Sequence, residues 1–188
     1  MLPDLLKLLP APLKPTHADG DWGGVESELG LQLPSDYKQV IQTYGYGEFC
    51  DDLSLINPFV GKSYSSNANA IIQQWQQIAE LCSVEYPFFP EKGGLLPCAV
   101  NVNGHYISWR TDGDPNDWDI VIWDSSEPSY VTSNDKPFVD LLYALLAGSS
   151  PQANLLLPDL TGRPNRRPWF TQWQIDPATG TVNPVAAK

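Results

Sequence analysis

The chain has 188 residues, of which 42% are hydrophobic and 18% charged, so it holds enough apolar material for a packed core and is not disordered throughout. It carries 22 acidic residues against 11 basic ones, a formal net charge of -11. This sign excludes binding driven by the phosphates of nucleic acid or by anionic lipid, and it favours basic partners.

Three cysteines, Cys50, Cys82 and Cys98, form no CxxC pair and are odd in number, so no disulfide framework or zinc site is predicted. No window reaches the length of apolar sequence that spans a membrane, and Met1–Leu9 lacks a signal-peptide cleavage site and predicts a short amphipathic helix. We therefore expect a soluble, cytoplasmic protein with a single domain over residues 1–188.

The first half of the chain predicts three further helices. Two are bounded by capping signals and cover Asp21–Gly30 and Pro34–Gly45, and the longest covers Asn69–Cys82. Residues 46–66 predict one short strand and a polar loop. The apolar positions of the second of these helices recur at helical spacing: Tyr37, Val40, Ile41 and Tyr44.

A β-meander is predicted next, with strands at Leu95–Val102, His105–Thr111 and Trp118–Asp124. The first two strands flank Asn103-Gly104, a strong signal for a two-residue hairpin turn. With this turn, the residues facing each other on the core side are Val102 and His105, Val100 and Ile107, and Cys98 and Trp109.

The C-terminal part predicts a helix at Lys136–Ala147 that shields the sheet. Residues 149–168 predict a long loop, followed by a hairpin of Trp169–Ile175 with Thr181–Val185. The loop carries three arginines, Arg163, Arg166 and Arg167, which are candidates for phosphate recognition but are more typical of solvated or internally paired side chains.

No catalytic residue is predicted. The only histidines are His17 and His105, and the hairpin register holds His105 about 13 Å along the sheet from Cys98. Cys98 is therefore interpreted as a buried structural residue. A Gly-x-Ser-x-Gly nucleophile elbow is also absent from the sequence.

Six carboxylates within sixteen residues without Lys or Arg form the most distinctive polar segment: Asp112, Asp114, Asp117, Asp119, Asp124 and Glu127. An EF-hand loop fails at Asp117, which replaces its glycine, and at Trp123, which replaces its bidentate glutamate. A magnesium phosphoryl-transfer site would need a P-loop and a phosphate-binding lysine, so no metal and no cofactor are predicted.

Two interpretations of this segment remain open. Its aspartates either cap their own turns or form a negative patch that meets a protein partner, with Trp118 as an aromatic anchor. Trp118 and Trp169 flank polar or proline-rich loops and are the candidates for partly exposed anchors, with simple packing at the sheet edge as the alternative. The predicted partner-binding residues are Asp112, Asp114, Asp117, Trp118 and Asp119, with Asp51 and Asp52 as a second acidic edge.

Two motifs carry a resemblance to a known family. The run Leu-Gly-x-x-Leu-Pro-x-Asp-Tyr at Leu29–Tyr37, followed by a helix and a Tyr-Gly-x-Gly-x-Phe turn at Tyr44–Phe49, closely resembles the N-terminal signature of the SUKH superfamily. The downstream hairpin and the helix that ends at Gly148 follow the same order. The resemblance covers about residues 20–148.

The resemblance implies an α+β fold, with a twisted, mainly antiparallel sheet and helices packed around it. It also implies a non-catalytic bacterial immunity protein that binds and neutralises a polymorphic toxin, a nuclease in many such pairs. Its signature residues are expected to be structural, so no contact residue is carried over.

Two other classes of function compete with immunity. One is a regulatory or scaffold protein that binds an endogenous protein or a small ligand, as fungal relatives that regulate cell-wall synthesis do. The other is a metal-dependent hydrolase, which would bind a divalent cation tightly. A toxin gene directly upstream would favour immunity.

Overall fold

A computed structural model describes residues 2–60, 73, 85–124, 129–133 and 136–185. Its eight described strands form one sheet in the order β6-β5-β4-β3-β2-β1-β7-β8, and every paired neighbour is antiparallel. The strands are β1 Gly47–Phe49, β2 Leu53–Leu55, β3 Leu95–Asn101, β4 Tyr106–Arg110, β5 Asp119–Asp124, β6 Ser129–Ser133, β7 Phe170–Ile175 and β8 Val182–Pro184.

Six described helices accompany the sheet, so the fold is α+β as predicted. They are α1 Leu2–Leu8, α2 Trp22–Leu29, α3 Ser35–Tyr44, α4 Phe138–Leu146, α5 Ala153–Leu156 and α6 Pro158–Thr161. Helix α4 lies at the centre of the helical layer and contacts α1, α3 and α5. Among the described residues, every helix is too short or too polar to cross a bilayer.

The main core lies between this helical layer and one face of the sheet. Tyr37 of α3 is fully buried, and its ring meets Trp109 of β4 edge-on at 4.8 Å between centroids. Its hydroxyl donates a hydrogen bond to the backbone oxygen of Ile56. A smaller cluster on the opposite face consists of Phe88, Leu95, Val121 and Trp123.

The predicted ends of α2 and α3 are confirmed. Asp21 Oδ1 accepts a hydrogen bond from the Gly24 amide at 3.0 Å, and Gly30 closes α2 with a φ of 70°. Gly45 closes α3 with a φ of 73°, where a Cβ would collide with the backbone of Thr16. The signature turn therefore needs glycine at position 45 for both backbone conformation and space.

The predicted register of the β3–β4 hairpin is wrong by one residue near the turn. Val100 pairs with Tyr106 instead of Ile107, and a bulge between Pro97 and Ala99 shifts the register again, so Leu96 rather than Cys98 lies opposite Trp109. Val102, expected on the core side, is 62% exposed.

A buried asparagine explains this difference. Asn101 Oδ1 accepts hydrogen bonds from the amides of Asn103 and His105 at 3.0 and 2.9 Å, and its Nδ2 donates to Leu155 O at 3.0 Å. The turn therefore begins one residue early and closes a three-residue loop, in which Gly104 alone has a positive φ.

Three other predictions change in part. Residues 46–66 contain two strands, β1 and β2, where one was predicted, and β6 was not predicted at all. The predicted loop at 149–168 contains α5 and α6, because Ala153, Leu156 and Leu160 are buried and draw this segment onto α4. The C-terminal hairpin is confirmed as β7 and β8. The predicted helix at Asn69–Cys82 lies outside the described residues.

Candidate partner-binding surface

A loop of aspartates connects β4 to β5 and contains most of the residues predicted to contact a partner; residues 112–119 are called the acidic loop below. Asp112, Asp114 and Asp117 are exposed, and Asp119, the first residue of β5, is partly exposed. The structure brings these four carboxylates to one end of the sheet. Their role in binding stays a prediction.

Part of the acidic loop stabilises its own turn. Asp114 Oδ1 accepts a hydrogen bond from the Asn116 amide at 2.9 Å and caps a short 3-10 helix at Pro115–Asp117. Asn116 in turn uses its side-chain oxygen to accept from the amide and the hydroxyl of Ser35, at 2.9 and 2.8 Å. This asparagine, which the sequence did not single out, fixes the loop to the start of α3.

The remaining aspartates differ in their counter-charges. Asp119 accepts a hydrogen bond from Lys136 Nζ at 2.8 Å and lies 3.5 Å from the guanidinium of Arg110. The Lys136 hydrogen bond holds the pKa of Asp119 below its ordinary value. The side chains of Asp112 and Asp117 make no hydrogen bond or ion pair with any residue that the structure describes. Asp114 accepts hydrogen bonds from Asn116, a neutral residue, so the negative charge that no described cation offsets is carried by Asp112, Asp114 and Asp117.

Trp118 does not lie at the surface, so the expectation that it is a partly exposed anchor is wrong. It is 5% exposed, and its ring lies 6.1 Å from that of Trp109. The reason is strand periodicity: Trp118, Ile120 and Ile122 alternate onto the core face of β5 and belong to the main core.

An open cleft of about 480 Å³ lies beside the acidic loop, and Trp118 forms part of its lining. Three segments enclose it: the junction of α2 and α3, the loop before β3, and the acidic loop with Thr111. The lining residues are Leu29, Gly30, Leu31, Gln32, Phe89, Pro90, Glu91, Lys92, Thr111, Gly113, Pro115 and Trp118. No local pattern in the sequence predicts this cleft, because its three walls come from separate segments of the chain.

Hydrogen bonds tie these walls together. Thr111 donates to Gly94 O from its amide at 3.1 Å and from its hydroxyl at 2.9 Å, and its own carbonyl accepts from the Gly93 amide at 3.2 Å. The bonds between Asn116 and Ser35 connect the third wall to the first. The cleft is therefore preformed.

Asp51 and Asp52 lie at the other end of the sheet. The Val102 amide donates to Asp52 O at 2.9 Å, which places the β1–β2 turn beside the β3–β4 turn. Strand β4 begins at this end with Tyr106 and reaches the opposite end at Arg110, where the acidic loop follows. The two acidic segments are separated by about 20 Å, the length of the seven-residue β3.

The carboxylate of Asp52 is also unavailable to a partner, which contradicts its predicted place on an exposed acidic edge. It is 2% exposed, and its Oδ2 accepts a hydrogen bond from the Asp159 amide at the start of α6, at 2.8 Å. Burial raises the pKa of Asp52, although the backbone amides of Asp159 and Leu160 favour the charged form. Asp51 is exposed, and its Oδ1 accepts from the Thr171 hydroxyl at 2.6 Å.

Three exposed arginines follow α6, and one of them, Arg163, lies close to the β1–β2 turn. Arg163 stacks on Trp169 with 3.9 Å between the guanidinium carbon and the ring centroid, and Trp169 is partly exposed as expected. Within the described ranges, neither Arg163 nor its neighbours Arg166 and Arg167 forms an ion pair.

The two described cysteines are free thiols in the core. Cys50 donates weakly to Trp169 O at 3.7 Å, and burial raises its pKa to about 11. Cys98 donates to Ile107 O at 3.3 Å, and burial raises its pKa well above the ordinary value. Both thiols stay protonated at neutral pH, and the prediction that Cys98 is a buried structural residue is confirmed.

The described residues offer little for metal binding. No three of their His, Cys, Asp and Glu side chains are grouped so that they could hold a metal ion. The arrangement of the acidic loop suits contact with a positively charged macromolecule, because its free carboxylates project from a rigid turn beside a cleft.

Comparison with known proteins places the chain in a family. A family model described as SMI1-KNR4 cell-wall, one of the SUKH models, matches residues 19–142, about two thirds of the chain. No curated protein and no solved structure gives a significant match. The match includes both signature motifs, the cleft and the acidic loop, and the chain therefore belongs to the SUKH superfamily.

Proposed function

We propose that this protein is a non-catalytic immunity protein that binds a bacterial polymorphic toxin of the nuclease class and blocks its active site. Membership of the SUKH superfamily supports a protein partner. The observation that carries the proposal is the pair of exposed carboxylates, Asp112 and Asp117, which have no counter-charge among the described residues and lie on a loop whose base is fixed to α3.

Electrostatics explain why a nuclease suits this surface. A nuclease cleft is positively charged because it binds phosphates, and a protein with a net charge of -11 is attracted to it over long range. Occlusion of the nuclease active site needs no cofactor and no bond-breaking step. Such an inhibitor works in the cytoplasm, where the toxin would meet the nucleic acid of the cell.

The proposal is tested with the toxin encoded beside this gene. Co-expression should rescue growth from that toxin, and the double variant Asp112→Lys/Asp117→Lys should slow association about tenfold or more at low salt. Asp114 and Asp119 are left intact, because their side chains stabilise the loop.

A matched control changes the net charge equally at distant, exposed sites. Asp19→Lys/Asp159→Lys alters the long-range attraction but leaves the acidic loop intact. If both double variants slow association equally, the loop is not the contact surface. If the wild-type chain gives no rescue and does not bind the toxin, it is not an immunity protein.

A regulatory role is the second candidate, because the description of the matching family model names the cell wall. In that role the acidic loop would contact an endogenous protein. A locus without a toxin gene, combined with recovery of the same endogenous partner by wild type but not by Asp112→Lys/Asp117→Lys, would favour regulation over immunity.

A further inference from the structure

The cleft beside the acidic loop is large enough to receive a side chain of a partner and is lined by both apolar and polar groups. Its volume of about 480 Å³ lies within the range of ligand-binding pockets, which runs from roughly 300 to 1,000 Å³. Leu29 and Trp118 are buried in its lining, and Leu31 and Phe89 are partly exposed there. An apolar group in the cleft would remove the exposed parts of Leu31 and Phe89 from water.

The cleft is also rigid, so little ordering is needed to fill it. Its walls are joined by the hydrogen bonds of Thr111 to Gly94 and of Asn116 to Ser35. Preformed, well-packed pockets ringed by polar residues are where the strongest single contributions to protein–protein binding are found.

The charges around the cleft indicate what surrounds the apolar group. Glu91 and Lys92 line it and offset each other, whereas Asp112 and Asp114 flank the lining residue Gly113. Asp112 has no counter-charge among the described residues, and neither has Asp117 further along the loop. The net field at this rim is negative, so an apolar side chain with basic neighbours is the complementary occupant.

We infer that the cleft receives a large apolar side chain, aromatic or aliphatic, from a basic segment of the protein partner, while the acidic loop contacts the Lys or Arg residues beside it. This rests on the proposed function for the identity of the partner but not for its chemistry. The arrangement reverses the expectation from the sequence. Trp118 is not an anchor that enters the partner, but forms part of the wall of the cleft that receives a side chain of the partner.

The test uses tripeptides in place of the unidentified partner segment, so it does not depend on a toxin. The full-length protein is titrated with acetyl-Lys-Phe-Lys-amide while its backbone amide NMR signals are followed. Saturable shifts are expected at Gly30–Gln32, Lys92 and Thr111–Gly113, with a dissociation constant on the order of millimolar. Acetyl-Lys-Gly-Lys-amide and acetyl-Glu-Phe-Glu-amide should each bind about tenfold more weakly or worse.

Two exposed glutamines give matched variants. Gln32→Trp fills the cleft from its rim and should abolish the shifts, whereas Gln42→Trp on α3 adds the same side chain outside the cleft and should leave them unchanged. Equal binding of the Phe and Gly peptides, or shifts that survive Gln32→Trp, would overturn the inference.

The same variants separate this inference from the proposed function. With a cognate toxin, Gln32→Trp should speed dissociation while the association rate stays unchanged, since it alters no charge. Unchanged dissociation would remove the cleft from the interface but leave immunity intact. Peptide binding without any toxin would leave the cleft as a site for another basic protein.

Discussion

The acidic loop and the β1–β2 turn both place aspartates at neighbouring positions, yet the fold uses them in opposite ways. Asp112 and Asp117 extend into solvent without a partner among the described residues, whereas Asp52 is buried and caps α6. The difference comes from what packs across each end of the sheet. Helices α5 and α6 cover the end at Asp52, while the end at Asp112 stays open beside the cleft.

A run of acidic residues therefore has no fixed structural role. A carboxylate that accepts hydrogen bonds from backbone amides caps a helix, whereas a carboxylate with no donor within hydrogen-bond distance remains a surface charge. Two variants of equal chemistry, one in each region, should therefore differ in kind and not only in size.

The largest effect is expected from Asp52→Ala, which leaves amides of α6 without their acceptor. We expect a loss of about 2 kcal/mol in the free energy of unfolding, measured by urea denaturation. Because the native pKa of Asp52 is raised, its stabilisation is greatest below the ordinary aspartate pKa and falls as pH rises through the native value. The loss caused by Asp52→Ala should therefore shrink with increasing pH.

The equivalent variant at Asp51 serves as the control, since that side chain is exposed and accepts a hydrogen bond from the Thr171 hydroxyl. A loss at Asp51→Ala as large as that at Asp52→Ala would mean that the position of the turn, and not the cap on α6, decides the stability.

An intermediate effect is expected from Asn116→Ala, which removes the acceptor that joins the acidic loop to α3. The expected loss is about 1 kcal/mol, typical of a helix cap. Ser35→Ala removes only the hydroxyl bond and keeps the backbone bond, so it should cost less. If the two variants are equal in thermal denaturation, the backbone bond contributes nothing.

The smallest effect is expected from Asp119→Asn, which weakens the ion pair with Lys136. This pair is partly exposed and solvent-screened, so the loss should be about 0.5 kcal/mol and should fall further at high salt. Since the pKa of Asp119 is lowered, its stabilisation is present at neutral pH and is lost as pH falls through the native value.

The loss caused by Asp119→Asn should thus shrink towards acid, opposite to the trend at Asp52→Ala. Denaturation curves of the two variants and wild type, recorded from acid to neutral pH, show whether the slopes have opposite signs. Slopes of the same sign would contradict the contrast between a buried cap and an exposed ion pair.

Local signals predicted the parts of the fold that are determined locally. Asp21, Gly30 and Gly45 mark helix ends through backbone geometry alone, and all three were identified from the sequence. The register of β3 and β4 was not, because it depends on Asn101, whose side chain bonds to a residue 54 positions away. Helices α5 and α6 were missed for the same reason: burial against distant residues, and not periodicity, makes them helical.

The candidate site divides in the same way. The acidic loop could be found because its carboxylates are close in sequence, whereas the first wall of the cleft is more than fifty residues away from the other two. Trp118 has polar neighbours in the sequence, which favour exposure, but its alternation with Ile120 and Ile122 places it in the core.

The acidic loop and the three arginines make the distribution of charge on the molecule asymmetric. The acidic loop lies at the end where β4 meets β5, and Arg163 lies beside the β1–β2 turn at the opposite end. A positively charged body is attracted more strongly to the first end than to the second, where Arg163 offsets Asp51 and Asp159, and the resulting torque turns the protein while the two are still apart. The molecule would arrive already oriented, so fewer collisions are wasted on the wrong face.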